Sequence, residues 1–225
     1  MYYRTSLLRF SPIVMGILLA ATPMAAQADV HAVADKVDQR YNHMQTLEAQ
    51  FAESYSGAGM TRKESGTLLL KKPGRMRWDY DEPHPKMFLT DGSTAWFYVP
   101  GEKQVRRTPV KQVEDLRSPL RYLLGKSKLE KEFVGLTIVT DAKPVNGGDI
   151  VLRGEPKGIE ERVSETLLEV TPDGMITRIV VEGTDGSVTE FRFLQQNENV
   201  QIADTRFKFV PPPGVEVVAG TQLVE

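Results

Sequence analysis

Between residues 30 and 44 the apolar side chains recur at spacings of three and four. Val30, Val33, Val37, Tyr41 and Met44 follow this spacing, with Asp, Lys, Gln and Arg between them. Such a spacing puts the apolar side chains on one stripe of an α-helix. The pattern therefore predicts an amphipathic helix whose apolar stripe packs against another element.

From Leu47 the apolar residues instead recur at every second position, which is the period of a β-strand. Leu47, Ala49 and Phe51 begin a first strand in this way, and Glu53 and Tyr55 continue the same face. Comparable short runs predict further strands at residues 66–72, 75–80, 86–90, 94–99, 104–108, 136–140, 149–153, 164–171, 175–182, 187–194 and 206–209.

Tight turns separate several of these runs. Asp91-Gly92, Asp173-Gly174 and Asp185-Gly186 each lie between alternating segments, and such pairs supply the positive φ angles of a hairpin. Sequential strands joined by hairpins form an antiparallel sheet, and roughly ten or eleven of them are too many to stay flat. The pattern predicts a mainly β fold that curls into a barrel or half-barrel.

A second helical segment is predicted at residues 118–124. Ser118 and Pro119 are typical of a helix start, and Leu120, Leu123 and Leu124 form one apolar face. Two arrangements agree with these patterns. Both helices could lie across the concave side of the sheet as a lid over an apolar cavity, or helices and sheet could pack into a solid α+β core.

Strict alternation in residues 75–80 puts Met76, Trp78 and Tyr80 on one face of a half-buried strand. One strand earlier, Leu68, Leu70 and Lys72 share a face in the same way.

If those leucines point into the sheet, the Lys72 ammonium lies on their side at the strand end. There it could bond to whatever covers the opening, or simply extend into water. Residues 94–99 have aromatic side chains on both faces, so the pattern leaves the side of Trp96 open.

The first 28 residues are typical of a secretory signal. Arg4 and Arg9 precede an apolar stretch at residues 13–21, and Ala26-Gln27-Ala28 has the small residues of a cleavage site. The apolar stretch is shorter than the roughly 20 residues of a membrane-spanning helix. We expect cleavage after residue 28 and a single domain at residues 29–225, in the periplasm if the source is Gram-negative; an uncleaved anchor is the alternative.

Composition narrows the function. The chain has no cysteine, which excludes disulfides, a thiolate nucleophile and a lipidated N-terminal Cys. Its formal charge of −2 argues against a nucleic-acid binder. The three histidines, His31, His43 and His84, have no paired-ligand spacing for a metal, and neither a phosphate loop nor a nucleophile elbow is present. We therefore expect no enzyme activity, no metal and no cofactor.

Four segments together resemble the LolA family of periplasmic carriers of outer-membrane lipoproteins. They are GTLLLKKPGRMRWDY at residues 66–80, TDGSTAWFYVP at 90–100, SPLRYLLG at 118–125 and FKFVPPPGV at 207–215. The resemblance implies an incomplete antiparallel β-barrel of about ten or eleven strands, covered by short helices. It also implies a monomeric carrier that takes triacylated lipoproteins from an inner-membrane ABC complex to an outer-membrane receptor lipoprotein.

The resemblance also assigns roles to residues. The family often has an arginine at the position of Lys72, which bonds to lid backbone carbonyls and holds the empty cavity closed. Lys72 keeps the charge but lacks the planar fork. Met76 replaces an aromatic residue of the family, and Trp78 matches. The expected lipid-binding cavity comprises Phe51, Leu68, Leu70, Met76, Trp78, Tyr80, Trp96, Leu120, Leu123 and Leu124.

Two other functions compete with the carrier. A LolA-like domain could sense lipids or mislocalised lipoproteins in envelope stress signalling, although such sensors usually have a second domain. A hydrolase on an exported β-scaffold is the other alternative, and no nucleophile-base motif supports it.

Overall fold

A computed structural model of the chain describes residues 29–113, 123 and 128–220. Its helices are α1 (Val30–His43), α2 (Val110–Val113) and α3 (Leu129–Glu132). Its strands are β1 (Thr46–Gly57), β2 (Met60–Lys71), β3 (Arg75–Glu82), β4 (Lys86–Asp91), β5 (Thr94–Tyr98), β6 (Gln104–Pro109), β7 (Phe133–Ile138), β8 (Ile150–Pro156), β9 (Val163–Val170), β10 (Ile176–Gly183), β11 (Val188–Glu198) and β12 (Glu216–Ala219).

All of these strands form one sheet, in the order β12-β6-β5-β4-β3-β2-β1-β11-β10-β9-β8-β7. Neighbours are antiparallel except β12, which runs parallel to β6. The sheet is open, because β7 and β12 stand at its two ends without pairing to each other. The predicted fold class, an incomplete antiparallel barrel with short helices, is therefore confirmed.

One face of the sheet, here called the inner face, packs against α1. Alternation along the strands sends every second side chain to this face. It joins the apolar stripe of α1 in one buried cluster, whose largest members from the strands are Phe51, Trp78, Tyr80, Phe88, Phe133, Phe191 and Phe193. Full burial of each such side chain stabilises the fold by about 1.5–3 kcal/mol.

The opposite face, here called the outer face, is crossed by the chain between β11 and β12. Ile202 and Phe207 from this segment pack on Leu69. Asp204 forms ion pairs with Lys71 and Arg75, at 2.6 and 2.8 Å. The segment therefore shields apolar surface that the first strands would otherwise expose.

The predicted set of strands needs three main corrections. Residues 206–209 are not a strand, because Asp204–Phe207 is a short 3-10 turn that buries Phe207 against the outer face. The strand Glu216–Ala219 was not predicted, since it is short and mostly exposed and lacks an alternating pattern. β2 begins at Met60 rather than residue 66, because its first half is a polar hairpin arm. The predicted helix at 118–124 lies outside the described residues apart from Leu123.

Helix α1 forms where the apolar spacing predicts it. Its N-cap is Asp29, whose carboxylate accepts a hydrogen bond from the backbone N–H of His31 at 3.1 Å. The β9–β10 turn closely approaches the backbone of α1 at Gly174. A Cβ built on Gly174 would lie 2.7 Å from the carbonyl carbon of Lys36 and 2.8 Å from the nitrogen of Val37. This glycine lets the turn and the helix meet.

The Gly174→Ala variant should test that close approach. Gly174 has a φ of +87° and backbone atoms nearby, so alanine adds both left-handed strain and a clash. We expect a loss of about 3 kcal/mol in the free energy of unfolding, measured by urea denaturation. Gly186→Ala is the control, since Gly186 has a φ of +79° and open space around it, and should lose about 1 kcal/mol. Equal losses would contradict the close packing of turn and helix.

Candidate functional site

Aromatic rings from three strands form the centre of the inner face. Phe51 lies edge-on to Trp78 and Tyr80, with ring centroids 4.7 and 4.9 Å apart. Phe191 and Phe193 of β11 also pack near Trp78, with ring centroids 5.8 and 6.3 Å from its own. All five side chains are buried. Together these five rings form a continuous apolar surface that contains no charged group.

The structure brings together most residues predicted for the cavity. Seven of them belong to the buried cluster of the inner face: Phe51, Leu68, Leu70, Met76, Trp78, Tyr80 and Leu123. Leu120 and Leu124 lie outside the described residues.

Trp96 does not join this cluster, and its predicted place is wrong. In β5 its neighbour Phe97 packs against the inner-face cluster, so alternation sends Trp96 to the outer face. There its ring lies 5.5 Å from that of Phe209, and the Arg107 guanidinium lies 5.3 Å from its centroid. The chain after β11 thus supplies a partner that strand pattern alone does not reveal.

Lys72 directly follows β2, and its ammonium reaches the carboxyl end of α1. Its Nζ donates hydrogen bonds to the carbonyl oxygens of Tyr41 and Asn42, the latter at 3.2 Å. A cation is favoured at this end of a helix, where carbonyls are left without partners and the helix dipole is negative. The side chain therefore joins strand to helix by charge-assisted hydrogen bonds to backbone.

Arg40 and Tyr41 anchor the same end of α1, and the sequence pattern did not identify either role. The Arg40 guanidinium forms ion pairs with Asp173 at 2.7 Å and with Glu198 at 2.5 Å. The Tyr41 hydroxyl accepts a hydrogen bond from the backbone N–H of Ile176 at 3.1 Å, and burial raises the pKa of that hydroxyl. The partners lie far along the chain, so only the fold reveals them.

Toward its amino end, α1 contacts α3. The imidazole of His31 pairs with Glu130, and this hydrogen bond together with the charge of Glu130 raises the pKa of His31. The carboxylate of Asp38 accepts a hydrogen bond from the backbone N–H of Leu129 at 3.0 Å, while burial raises the pKa of Asp38. Polar contacts thus connect the two helices.

Beyond the aromatic rings, the inner face becomes polar. The Tyr80 hydroxyl donates a hydrogen bond to Glu53 at 2.9 Å. Glu64 pairs with Lys86 at 2.6 Å and with Arg62 at 3.1 Å. The apolar surface therefore has a charged border at the end far from Lys72.

Within the apolar part of the inner face, the buried polar atoms without a hydrogen-bond partner among the described residues include the indole nitrogen of Trp78 and the hydroxyl of Thr166. In the same described part of the chain, His, Asp and Glu nowhere gather in groups of three or more that could hold a metal ion.

Comparison with known proteins identifies the family. A family model described as outer membrane lipoprotein carrier protein LolA matches residues 42–210, which is most of the chain. The chain belongs to the LolA family. A relative of this LolA-family protein, the outer-membrane lipoprotein carrier protein of Chromobacterium violaceum, is 28% identical over 201 residues. That match covers 89% of the chain and 93% of the relative.

Solved structures with a similar fold are more distant in sequence. The crystal structure of an uncharacterized conserved protein from Thermus thermophilus is similar to this LolA-family protein, with a TM-score of 0.56 at 13% identity. The match covers 84% of the chain and 98% of that protein. A crystal structure of MucB matches with a TM-score of 0.50 at 15% identity, covering 82% of the chain and 64% of MucB. These likenesses concern the fold alone.

Helices long and apolar enough to cross a membrane are absent from residues 29–113, 123 and 128–220 of this LolA-family protein.

The contact between His31 and Glu130 should be visible in a titration. We expect the pKa of His31, followed by NMR, to lie above its ordinary value of 6.5, because the carboxylate favours the charged imidazole. A raised pKa means that the contact stabilises the folded protein below pH 6.5 and loses its contribution as the pH rises through the raised value. Glu130→Gln should lower the pKa of His31. An unchanged titration in that variant would show that the side chains do not pair in solution.

Proposed function

We propose that this LolA-family protein is a periplasmic carrier that binds the acyl chains of outer-membrane lipoproteins on its inner face. It takes them from an inner-membrane ABC transporter complex and delivers them to an outer-membrane receptor. The observation that carries this proposal is a continuous apolar sheet face beneath a separate helix, α1, in a chain of this family. The predicted secretory signal at residues 1–28 supports an exported location.

The physical need for such a face follows from the cargo. Exposing an acyl chain to water costs about 0.8 kcal/mol per CH₂, so one chain of ordinary length costs on the order of 10 kcal/mol. A triacylated lipoprotein therefore needs an apolar container to cross an aqueous compartment. No bond has to be made or broken during this transport, so the proposed function requires no catalytic group.

Helix α1 acts as the cover in this proposal. Its apolar residues Val33, Val37 and Tyr41 occupy the inner face that the acyl chains would use. Cargo must therefore displace or share these contacts. The hydrogen bonds of Lys72 to the end of α1 favour the covered state and oppose loading.

A soluble complex is the direct test. The purified protein should form a one-to-one complex with a triacylated lipoprotein released from membranes, detected by gel filtration and native mass spectrometry. The same lipoprotein without its acyl chains is the control and should not bind. Failure to form a complex with any native triacylated lipoprotein would overturn the carrier function.

A sensor of lipids or lipoproteins is the second candidate, because binding a lipid on the same apolar inner face would serve a sensor as well as a carrier. Mass spectrometry of material that co-purifies from the native periplasm distinguishes the two functions. Lipidated proteins support a carrier, whereas a non-lipidated signalling partner supports a sensor.

Lys72→Leu should load cargo but deliver it poorly. Loss of the hydrogen bonds to Tyr41 and Asn42 makes the empty, covered state less stable, so cargo is retained. With about 1–2 kcal/mol lost, we expect transfer to the receptor to fall about 5- to 30-fold in an assay with purified components.

The matched control is Lys63→Leu, the same substitution at an exposed position of β2, the strand that Lys72 follows. It should transfer cargo at the normal rate, and Lys72→Arg should transfer it at least as well as Lys72→Leu. Normal delivery by Lys72→Leu would mean that Lys72 has no role in the cycle.

A further inference from the structure

The indole N–H of Trp78 is a buried donor that has no acceptor among the described residues. The side chain is 0% exposed, and its nitrogen has no hydrogen-bond partner among the described residues. An indole nitrogen can only donate. Buried donors almost always have a partner, since leaving one unpaired costs about 1–3 kcal/mol. Burial of this N–H therefore lowers the stability of the folded protein in its present state.

The surroundings of Trp78 explain why it lacks a partner. Its ring is flanked by Phe51 and Phe191, at 4.7 and 5.8 Å, and neither has an oxygen to accept a hydrogen bond. The other polar rings of the inner face are satisfied. Tyr80 donates to Glu53, and Tyr41 accepts from the backbone of Ile176. Phenylalanine at position 78 would provide an aromatic ring without an unpaired donor.

We infer that Trp78 Nε1–H donates a hydrogen bond to an acyl carbonyl oxygen of the bound lipid anchor. This inference rests on the proposed carrier function. An acyl chain is apolar except at its carbonyl group, which is an acceptor and thus matches a donor-only indole. The hydrogen bond fixes how deeply the head of a chain enters the apolar face. It also distinguishes acylated cargo from plain hydrocarbon.

The anchor offers two kinds of carbonyl, the esters of its diacylglyceryl group and the amide of its N-acyl chain. Three synthetic probes separate them: a triacylated lipopeptide, its analogue with ether-linked chains in place of the esters, and a diacylated lipopeptide without the N-acyl chain. Their affinities are measured for the wild-type protein and for Trp78→Phe, which keeps an aromatic ring but removes the donor. Trp96→Phe is the matched control, because Trp96 lies on the outer face against Phe209.

We expect Trp78→Phe to bind the triacylated lipopeptide about tenfold more weakly than the wild type, while Trp96→Phe binds it normally. If the acceptor is an ester, this penalty disappears with the ether analogue. If it is the amide, the penalty disappears with the probe that lacks the N-acyl chain. An equal penalty for all three probes, or none for any, overturns the inference while leaving the carrier function intact. Failure of the wild type to bind any probe overturns both.

A second measurement does not depend on the folding of Trp78→Phe. In the Trp96→Phe variant, Trp78 is the only tryptophan, so its indole ¹H–¹⁵N signal is unambiguous. We expect this signal to move downfield when the triacylated lipopeptide binds, as the N–H gains a carbonyl partner. Binding without such a shift overturns the inference.

Discussion

The attachment of the carboxyl end of α1 to the sheet is the contact on which the inner face depends. Lys72 and Arg40 provide positive charge there, and Tyr41 adds a buried hydroxyl. Lys72 bonds to the helix backbone itself, so that bond is independent of the side chains displayed by the helix. Without these contacts, the carboxyl end of α1 would rely mainly on its apolar stripe, which in the proposed carrier competes with lipid for the same surface. The polar contacts therefore fix the position of α1 on the sheet. The apolar stripe supplies the packing that covers the inner face.

The outer face of the sheet is stabilised in two different ways. Over the first strands, the segment that contains Ile202 and Phe207 covers the sheet. Over the later strands, charged side chains pair across neighbouring strands instead. Arg178 connects Glu169 and Glu190, at 3.3 and 3.1 Å. Such pairs satisfy buried charges without another layer of structure.

Local patterns predicted the inner face well and the long-range contacts poorly. In residues 75–80, charged residues alternate with apolar ones, so the pattern predicts without ambiguity which face of the strand Trp78 is on. Around Trp96, aromatic residues lie on both faces of the strand, so the pattern does not predict which face Trp96 is on. In the structure Trp96 packs against Phe209, which comes much later in the chain. Arg40 looked like an ordinary polar residue of an amphipathic helix, because its partners Asp173 and Glu198 come together only through the fold. Periodicity reports which face is buried but not which distant segment covers it.

A carrier must bind strongly and still release, and competition by α1 offers a physical solution. Three acyl chains buried on the inner face would gain on the order of 30 kcal/mol relative to water, far beyond any reversible affinity. Much of that gain is offset if the chains displace Val33, Val37 and Tyr41 together with the polar contacts of the helix. The net free energy of binding is then the difference between two large terms, the gain from burying the acyl chains and the cost of displacing α1. A few hydrogen bonds, such as those of Lys72, are therefore enough to shift the balance between holding cargo and releasing it.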